Sequence, residues 1–257
     1  MSSDYKLIIN GDDFGYDFAI NKAIFRSFQS GLITRASLMV NMPGFEDAVD
    51  LLRTHSFLSD KIGLHVNLTE GVPLSAPIRN CKRFCDGSGQ FIFKRQQPLF
   101  FLSDHEQKVV YKEMIAQMEK AKRCGIRLTH LDSHHHVHTE WAIMKLMIRL
   151  GKEYGIRQIR LSRNMGDRQG YSKTIYKKIL NSYLKHVAGI TGIDYFGDID
   201  DLIGFMRTSP LKGKSIEIMV HPMLDEKQDL VDLDRKNLEE KLERLIDHRY
   251  TISQPEL

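Results

Sequence analysis

Short apolar runs alternate with amphipathic segments along almost the whole chain. The runs have the length of buried strands, and they predict strands at 6–10, 36–41, 61–68, 126–134, 156–162 and 214–222. The segments between them repeat apolar residues at helical spacing, and they predict helices at 18–30, 44–55, 105–125, 140–155 and 233–248. Asp17 stands where it can cap the first helix, and Gly31 stands where it can end it. Strands that alternate with helices are typical of βα units and a parallel sheet.

Three segments depart from this alternation. Residues 70–104 are rich in proline, glycine and paired aromatic residues and show no period, which indicates a loop that shapes a site. Residues 163–210 are predicted to form a polar, partly helical and variable insertion, and RYTIS at 249–253 a last short strand. Six or seven βα repeats predict a single α/β domain over residues 1–257 that forms a TIM-like barrel. The active site of such a barrel lies at the carboxyl ends of its strands.

Composition and charge narrow the range of partners. The chain is 42% hydrophobic and 27% charged, which is ordinary for a soluble globular protein. Its net charge of +4 comes from dispersed basic residues, so no nucleic-acid partner is indicated. The apolar runs are far shorter than the ~20 residues that span a membrane, and the N-terminal segment lacks the pattern of a secretion signal. We therefore expect a cytoplasmic protein with no membrane partner.

The cysteines do not predict a disulfide framework, because their number, three, is odd. Cys81 and Cys85 are either two ordinary thiols or ligands of a metal shared with histidines from elsewhere in the chain. The spacing C-x2-C that is typical of zinc sites is missing, which favours ordinary thiols.

Polar residues collect where the predicted strands end. The first strand runs into Asp12 and Asp13, two adjacent carboxylates that are costly to bury unless a metal or another cation receives them. The alternative for one of them is a helix-capping role. In the third strand the period of two places His65 and Asn67 on the face opposite the leucines. His65 is therefore either a ligand or a hydrogen-bonded structural histidine.

Two later strands carry the same kind of residue. His130, Asp132 and His134 share one face of the strand at 126–134, and Glu217 alternates with apolar residues in the strand that His221 follows. Four strand ends thus deliver the following side chains to one edge: Asp12, Asp13, His65, His134 and His221. Two histidines and a carboxylate form a ligand set for a catalytic divalent ion such as Zn²⁺, and carboxylate-led sites also take Mg²⁺ or Mn²⁺.

The stretch THLDSHHHVH at 129–138 contains five of the eleven histidines and has two interpretations. His134, His136 and His138 can chelate one ion from a single extended strand. Alternatively only His134 binds the ion, while the other two line the pocket or orient a neighbour. The second interpretation is favoured because three such histidines spread over ~13 Å of extended chain.

Several motifs in this order resemble the YdjC-like carbohydrate deacetylases. They are NGDDFG (10–15), GLHVNLTEG (63–71), THLDSHHHVH (129–138), a strand that carries Arg160, and the pair HP (221–222). The resemblance spans residues 7–224. It implies a distorted (βα) barrel and the metal-dependent removal of acetyl groups from N-acetylated amino sugars or oligosaccharides. Met223 departs from the pattern, because the family often has glycine after HP.

Carried over onto this chain, the resemblance assigns three metal ligands and two catalytic residues. It implies that Asp13, His65 and His134 bind one divalent ion, that Asp12 is the catalytic base and that His221 is the general acid. The family suggests Mg²⁺, whereas the ligand types make Zn²⁺ plausible. Further candidates, for orienting these groups or contacting substrate, are Asn67, Asp132, His136, His138, Arg160 and Glu217. Arg160 can pair with Asp12 and keep its pKa low, and the alternative for these polar residues is an ordinary salt bridge.

Other functions remain open at this point. Barrel phosphoesterases and amidohydrolases also place histidine and aspartate at strand ends, although they typically open with H-x-H on the first strand. A non-catalytic sugar-binding module is the second alternative. A sugar ring can stack on an aromatic side chain such as Phe91, Phe93 or Trp141. A homodimer is the common default for the oligomeric state.

Overall fold

Six parallel strands form one curled sheet at the centre of the molecule. The computed structural model describes residues 5–93, 99–166, 170–190 and 192–252. The strands of the sheet are β1 (Lys6–Phe14), β2 (Arg35–Leu38), β3 (Ile62–Val66), β4 (Leu131–Ser133), β5 (Tyr195–Gly197) and β6 (Ser215–Val220). Their order is β4-β3-β2-β1-β6-β5, and every neighbouring pair is parallel. A separate antiparallel pair is formed by β7 (Met223–Leu224) and β8 (Leu230–Val231).

The two edges of this half-barrel are connected by one extended segment, residues 158–164. On one side, the Leu131 N–H donates to the Gln158 carbonyl oxygen at 2.9 Å, and the Arg160 N–H donates to the Leu131 carbonyl oxygen at 3.0 Å. On the other side, the Asn164 N–H donates to the Phe196 carbonyl oxygen of β5 at 3.0 Å. The arrangement confirms the predicted distorted, barrel-like α/β fold.

Helices cover the outside of the sheet. They are α1 (Phe18–Gln29), α2 (Phe45–Thr54), α3 (Ala76–Arg79), α4 (Asp104–Arg123), α5 (Trp141–Tyr154), α6 (Tyr171–Ser182), α7 (Ile199–Met206) and α8 (Leu238–Ile252). As predicted, the Asp17 carboxylate caps α1 by accepting from the Ile20 N–H at 2.8 Å. Gly31, just beyond α1, has a φ of 71°. Within the described ranges, no helix combines the length and the apolar character needed to cross a bilayer.

The core lies between the helices and the sheet and also fills the inside of the curl. All five residues of β3 are buried, as is typical of parallel strands that are covered on both faces. The apolar face of α1 contributes Ala23, Ile24 and Phe28 to this core. The consequence for function is that any polar side chain inside the curl needs a partner, because burial without one is costly.

Some sequence predictions differ from the structure. The strand expected at 126–134 is regular only over Leu131–Ser133, and the one expected at 156–162 is reduced to a single parallel bridge between Leu131 and Ile159. The short strand predicted for 249–253 is wrong, because residues 249–252 continue helix α8, while Ser253 lies outside the described residues. Both edges of the sheet already bond to the segment 158–164, so a last strand has no edge to join.

The two irregular segments also contain more structure than the sequence indicates. Residues 70–104 include α3 and a β-bridge between Cys85 and Phe91. Residues 163–210, expected to be an insertion, include α6, α7 and the sheet strand β5. This segment therefore supplies one wall of the curl.

A candidate metal centre at the strand ends

Strand β1 ends in a bulge that separates its two carboxylates. The pairing of β1 with β2 shifts register between Gly11 and Phe14, and Asp13 has a positive φ of 72°. Bulges next to functional sites re-aim side chains, and aspartate tolerates this backbone conformation better than most residues. As a result, Asp12 points to a buried arginine, whereas Asp13 points to two histidines.

Asp13, His65 and His134 meet around one carboxylate oxygen. Asp13 Oδ1 lies 3.2 Å from His65 Nε2 and 2.9 Å from His134 Nδ1. The three residues come from the ends of β1, β3 and β4, which are far apart in the sequence. Their ligand atoms lie within 4.8 Å of one another. The structure therefore brings together the three residues that the family resemblance suggests as metal ligands.

The donor set and its spacing fit a divalent cation. Ligand atoms ~2.0–2.2 Å from one ion lie ~2.8–3.1 Å apart at octahedral angles and ~3.3–3.6 Å apart at tetrahedral angles, a range that includes the two distances found here. One carboxylate and two imidazoles suit Zn²⁺ and related divalent ions and leave coordination positions open for water and substrate. Asp13 is only half-buried, so solvent reaches this group of side chains.

Asp132 orients His65 for this role. Its Oδ1 lies 2.7 Å from His65 Nδ1, so Nε2 is the nitrogen that faces Asp13. Carboxylates in this position typically fix the ring orientation of a metal-binding histidine. Burial alone would lower the pKa of His65, but the charge of Asp132 and the hydrogen bonds of Asp13 and Asp132 outweigh it and raise that pKa to about 10.

A buried arginine organises the carboxylates behind the centre. Arg160 is 1% exposed and bonds both oxygens of Asp12, with Nη1 2.6 Å from Oδ2 and Nη2 2.7 Å from Oδ1. The same guanidinium lies 2.8 Å from Asp132 Oδ2 and donates from Nε to Glu217 Oε1 at 2.7 Å. Arg35 forms an ion pair with the second oxygen of Glu217, with Nη2 2.7 Å from Oε2. Two arginines and three carboxylates thus form a paired, buried network.

This network keeps Asp12 ionised. Burial raises the pKa of Asp12, but the charge and the hydrogen bonds of Arg160 outweigh it, so the pKa lies below its ordinary value. Asn10 adds a hydrogen bond from Nδ2 to Asp12 Oδ1 at 2.7 Å. Asp12 Oδ1 therefore has two donors and Oδ2 has one, which leaves Oδ2 free to accept a further proton or hydrogen bond.

His221 lies beside that oxygen. Its Nε2 is 4.0 Å from Asp12 Oδ2, and its side chain is 25% exposed, so solvent reaches it. Its backbone N–H donates to Asp232 Oδ1 at 2.8 Å, and Lys241 of α8 donates to Asp232 Oδ2 at 2.5 Å. The loop that carries His221 is therefore attached to α8 through a buried ion pair.

The remaining histidines of the cluster have separate partners. His138 Nδ1 lies 2.7 Å from Ser133 Oγ, and the ring of His136 contacts Phe196 at 5.9 Å between centroids. Among the described residues, no group of side chains that could hold an ion includes either of them. Chelation by His134, His136 and His138 from one strand is therefore wrong, because the chain leaves the extended conformation at His135, whose φ is 50°.

Other sequence candidates have structural partners. Asn67 is fully buried and bonds the backbone of the turn at 67–70. Cys81 and Cys85 are buried free thiols within the core. Of the proposed stacking aromatics, Phe91 is buried, Trp141 is half-buried, and Phe93 is 58% exposed. The Phe93 ring centroid lies 4.1 Å from that of His135, the neighbour of the candidate ligand His134.

Sequence analysis did not identify Glu70, Tyr16 or Asn10 as site residues. Glu70 Oε2 lies 3.1 Å from His134 Nε2, and the Tyr16 hydroxyl donates to Glu70 Oε1 at 2.6 Å. This hydrogen bond, together with burial, raises the pKa of Tyr16 to about 12. Glu70 stands four residues beyond the end of β3, so its position in the motif GLHVNLTEG was the only available signal.

Comparisons with known proteins identify carbohydrate deacetylases among the relatives of this chain. A carbohydrate deacetylase from Brevibacillus brevis is 40% identical over 151 residues, which are 59% of this chain and 57% of that protein, less than two thirds of its length. A carbohydrate deacetylase from Geobacillus stearothermophilus is 30% identical over 217 residues, 84% of this chain and 78% of that protein.

A solved structure and a family model extend the likeness to almost the whole chain. The crystal structure of an Enterococcus faecalis protein, described as a candidate for cellobiose-phosphate cleavage, superposes with a TM-score of 0.71. It is 23% identical and covers 97% of this chain and 95% of that chain, a likeness that shows the fold. The model of the YdjC-like protein family matches residues 6–255. The chain therefore belongs to the YdjC-like protein family.

Proposed function

We propose that the protein is a metal-dependent hydrolase that removes acetyl groups from N-acetylated amino sugars or oligosaccharides. The observation that carries this proposal is the meeting of Asp13, His65 and His134 at one carboxylate oxygen, with Asp12 and His221 beside it. The relatives named carbohydrate deacetylase support the substrate class.

The residues that would hold the ion are Asp13, His65 and His134, and their donor atoms fit it. When bound, a divalent ion lowers the pKa of a water and polarises a carbonyl group, the two effects that amide hydrolysis needs at neutral pH. The chain's own contribution is to hold the ligands rigidly. Asp132 fixes His65, and Arg160 fixes Asp132 in turn.

Asp12 is the base in this proposal. Its pKa lies below the ordinary value, so at neutral pH it is deprotonated and can accept a proton. The accepting atom is Oδ2, which has one donor in the protein and faces His221. A carboxylate held by Arg160 is a weak base by itself, and it is sufficient here because the water it deprotonates is already acidified.

His221 is the general acid. Its Nε2 lies 4.0 Å from Asp12 Oδ2 at the border of the pocket, where a departing sugar nitrogen can reach it. The His221 N–H that protonates this nitrogen makes the amine a better leaving group, and the C–N bond then breaks. The Asp232–Lys241 ion pair holds the backbone of His221 in place during this step.

The sugar itself would contact the exposed rings next to the centre. Phe93 and His135 are both exposed, and their ring centroids are 4.1 Å apart. His135 follows the ligand His134 directly, with ring centroids 3.8 Å apart. An apolar sugar face can pack on these rings while its acetamido group reaches the ion.

The test of this proposal is acetate release from N,N′-diacetylchitobiose, measured with and without a chelator. We expect acetate in stoichiometric amounts with free amine, loss of activity in the chelator, and its return when a divalent ion is added. The matched control is a phosphate ester, from which the protein should release no phosphate. Binding of the sugar without acetate release would instead favour a sugar-binding module.

A further inference from the structure

The two histidine ligands are held in the same way from opposite sides. Each has one ring nitrogen on Asp13 Oδ1 and the other on a second carboxylate. For His65 the second carboxylate is Asp132, at 2.7 Å, and for His134 it is Glu70, at 3.1 Å. Glu70 therefore occupies for His134 the position that Asp132 occupies for His65.

The two second carboxylates, Asp132 and Glu70, differ in their surroundings. The side chain of Asp132 is fully buried and paired with Arg160, whereas that of Glu70 is 37% exposed. Among the described residues, no lysine or arginine pairs with Glu70, and its other oxygen, Oε1, accepts from the Tyr16 hydroxyl at 2.6 Å. Asp132 is thus fixed by the buried charge of Arg160, whereas Glu70 is fixed by a hydrogen bond from Tyr16 at the surface.

Tyr16 connects Glu70 to Asp13, the third proposed ligand. Its backbone N–H donates to the Asp13 carbonyl oxygen at 3.0 Å, while its hydroxyl holds Glu70. The β1 bulge that aims Asp13 at the histidines therefore also sets the position of Tyr16. One local structure fixes the carboxylate ligand and the partner of His134 together.

The turn that carries Glu70 is built to place it. Asn67 Oδ1 accepts from the backbone N–H groups of Thr69 and Glu70 at 3.0 and 3.1 Å, and Asn67 Nδ2 donates to the Glu70 carbonyl oxygen at 2.8 Å. The Asn67 backbone N–H is itself held by Gln117 of α4, at 3.0 Å. Asn67 thus acts through the backbone of Glu70.

Glu70 is not placed as a ligand of the same ion. It contacts Nε2 of His134, on the opposite edge of the imidazole from Nδ1, which faces Asp13. Both of its oxygens have a partner in the protein. An accepting carboxylate at Nε2 favours the tautomer with the proton on Nε2, and this tautomer leaves the Nδ1 lone pair free to bind a metal.

We propose that Glu70 is a positioning residue for the ligand His134, and that Tyr16 acts on the metal centre through Glu70. The inference rests on the metal site of the proposed function and adds to it two residues that hold His134. Neither residue contacts the ion or the reacting atoms.

The test measures Zn²⁺ or Mn²⁺ affinity of the full chain by calorimetry. Glu70→Ala should weaken binding by about 10- to 100-fold, as is typical for the loss of a partner to a metal-binding histidine. Tyr16→Phe should weaken it by about two- to tenfold, the effect of one hydrogen bond. Glu70→Gln keeps an accepting oxygen and should retain most of the affinity. Glu46→Ala is the control. The side chain of Glu46 is 77% exposed and forms a long ion pair, at 3.8 Å, with Lys120.

Two further measurements separate positioning from a general loss of structure. In the Zn²⁺-loaded protein, the His134 Nε2–H resonance should exchange slowly with water, and Glu70→Ala should make it exchange rapidly. In a double-mutant cycle, Tyr16→Phe should have no further effect once Glu70→Ala is present, because Tyr16 acts through Glu70.

The outcomes distinguish this inference from the proposed function. Wild-type affinity in Glu70→Ala, or effects of the two substitutions that simply multiply, would overturn the inference and leave the metal site intact. A wild-type chain that binds no divalent ion at all would overturn the proposed function, and the inference with it.

Discussion

Arg160 holds both carboxylate oxygens of Asp12, at 2.6 and 2.7 Å, although 148 positions separate the two residues in the sequence. The same guanidinium contacts Asp132 and Glu217. The buried guanidinium of Arg160 thus connects the proposed base Asp12, the His65 partner Asp132, and Glu217 of β6. The effects of changing any of these residues follow from this pairing.

Replacing Arg160 should destabilise the fold strongly. Arg160→Met leaves the buried carboxylates of Asp12, Asp132 and Glu217 without their shared cation, and breaking a buried ion pair costs about 3–5 kcal/mol. The measurement is urea unfolding in the presence of chelator. Arg53→Met is the matched control, because that side chain is 63% exposed and should change the free energy of unfolding by less than about 0.5 kcal/mol. Equal effects of the two substitutions would refute the buried network.

The contribution of Asp12 to stability should depend on pH in one direction. Its pKa is lowered in the folded protein, because Arg160 outweighs the effect of burial, so its ionised form stabilises the fold above the unfolded value of about 4. This stability is lost as the pH falls through the lower folded pKa. Asp12→Asn should therefore cost more stability at pH 7 than at pH 3 in the metal-free protein.

The control for this pH dependence is Asp50→Asn. The Asp50 side chain is 80% exposed, so its replacement should have a small effect at both pH values. If Asp12→Asn cost the same free energy of unfolding at pH 7 and pH 3, Arg160 would not be holding an ionised carboxylate.

Substitutions of Asp12 and His65 should have different effects on metal binding. Asp12→Asn should keep the ion and reduce kcat by about 10²–10⁴-fold, because it removes only proton transfer. His65→Ala should lose both the ion and the activity, since it removes a ligand. Metal content by mass spectrometry and acetate release by an enzyme-coupled assay measure the two effects. The opposite pattern would mean that ligand and base have been exchanged.

His221 should matter only when the leaving group needs a proton. His221→Asn should reduce deacetylation of an acetamido sugar by about 10²–10⁴-fold without changing metal affinity. On p-nitrophenyl acetate, whose phenolate leaves without a proton, the same variant should keep most of the wild-type rate. Asp12→Asn is the comparison and should lose both reactions. A His221→Asn variant that lost the two activities equally would not be explained by loss of a general acid.

The sequence predicted a cluster of polar side chains because each of them follows an apolar strand. Strand ends of a parallel sheet meet at one edge, so Asp13, His65 and His134 could be assigned to one place without any knowledge of contacts. The expected pairing of Arg160 with Asp12 is also present in the structure. The resemblance to the family supplied the proposed choice of Asp13, His65 and His134 as ligands and of Asp12 as the base.

Other features could not be read from the chain because long-range contacts create them. In the sequence, Glu70 cannot be distinguished from other carboxylates in turns. Its position against His134 depends on contacts with Asn67 and Tyr16. Strand β5 has three residues within a polar region, and only its hydrogen bonds to β6 identify it. Residues 249–253 were predicted as a strand, but residues 249–252 continue helix α8, and both edges of the sheet already bond to the segment 158–164.

The most direct test of the account is anomalous diffraction from crystals grown with Mn²⁺ or Zn²⁺. We predict one anomalous peak, about 2.0–2.2 Å from Asp13 Oδ1, His65 Nε2 and His134 Nδ1. No peak at these three atoms, or a pair of peaks about 3.5–4 Å apart as in two-metal phosphoesterases, would contradict it.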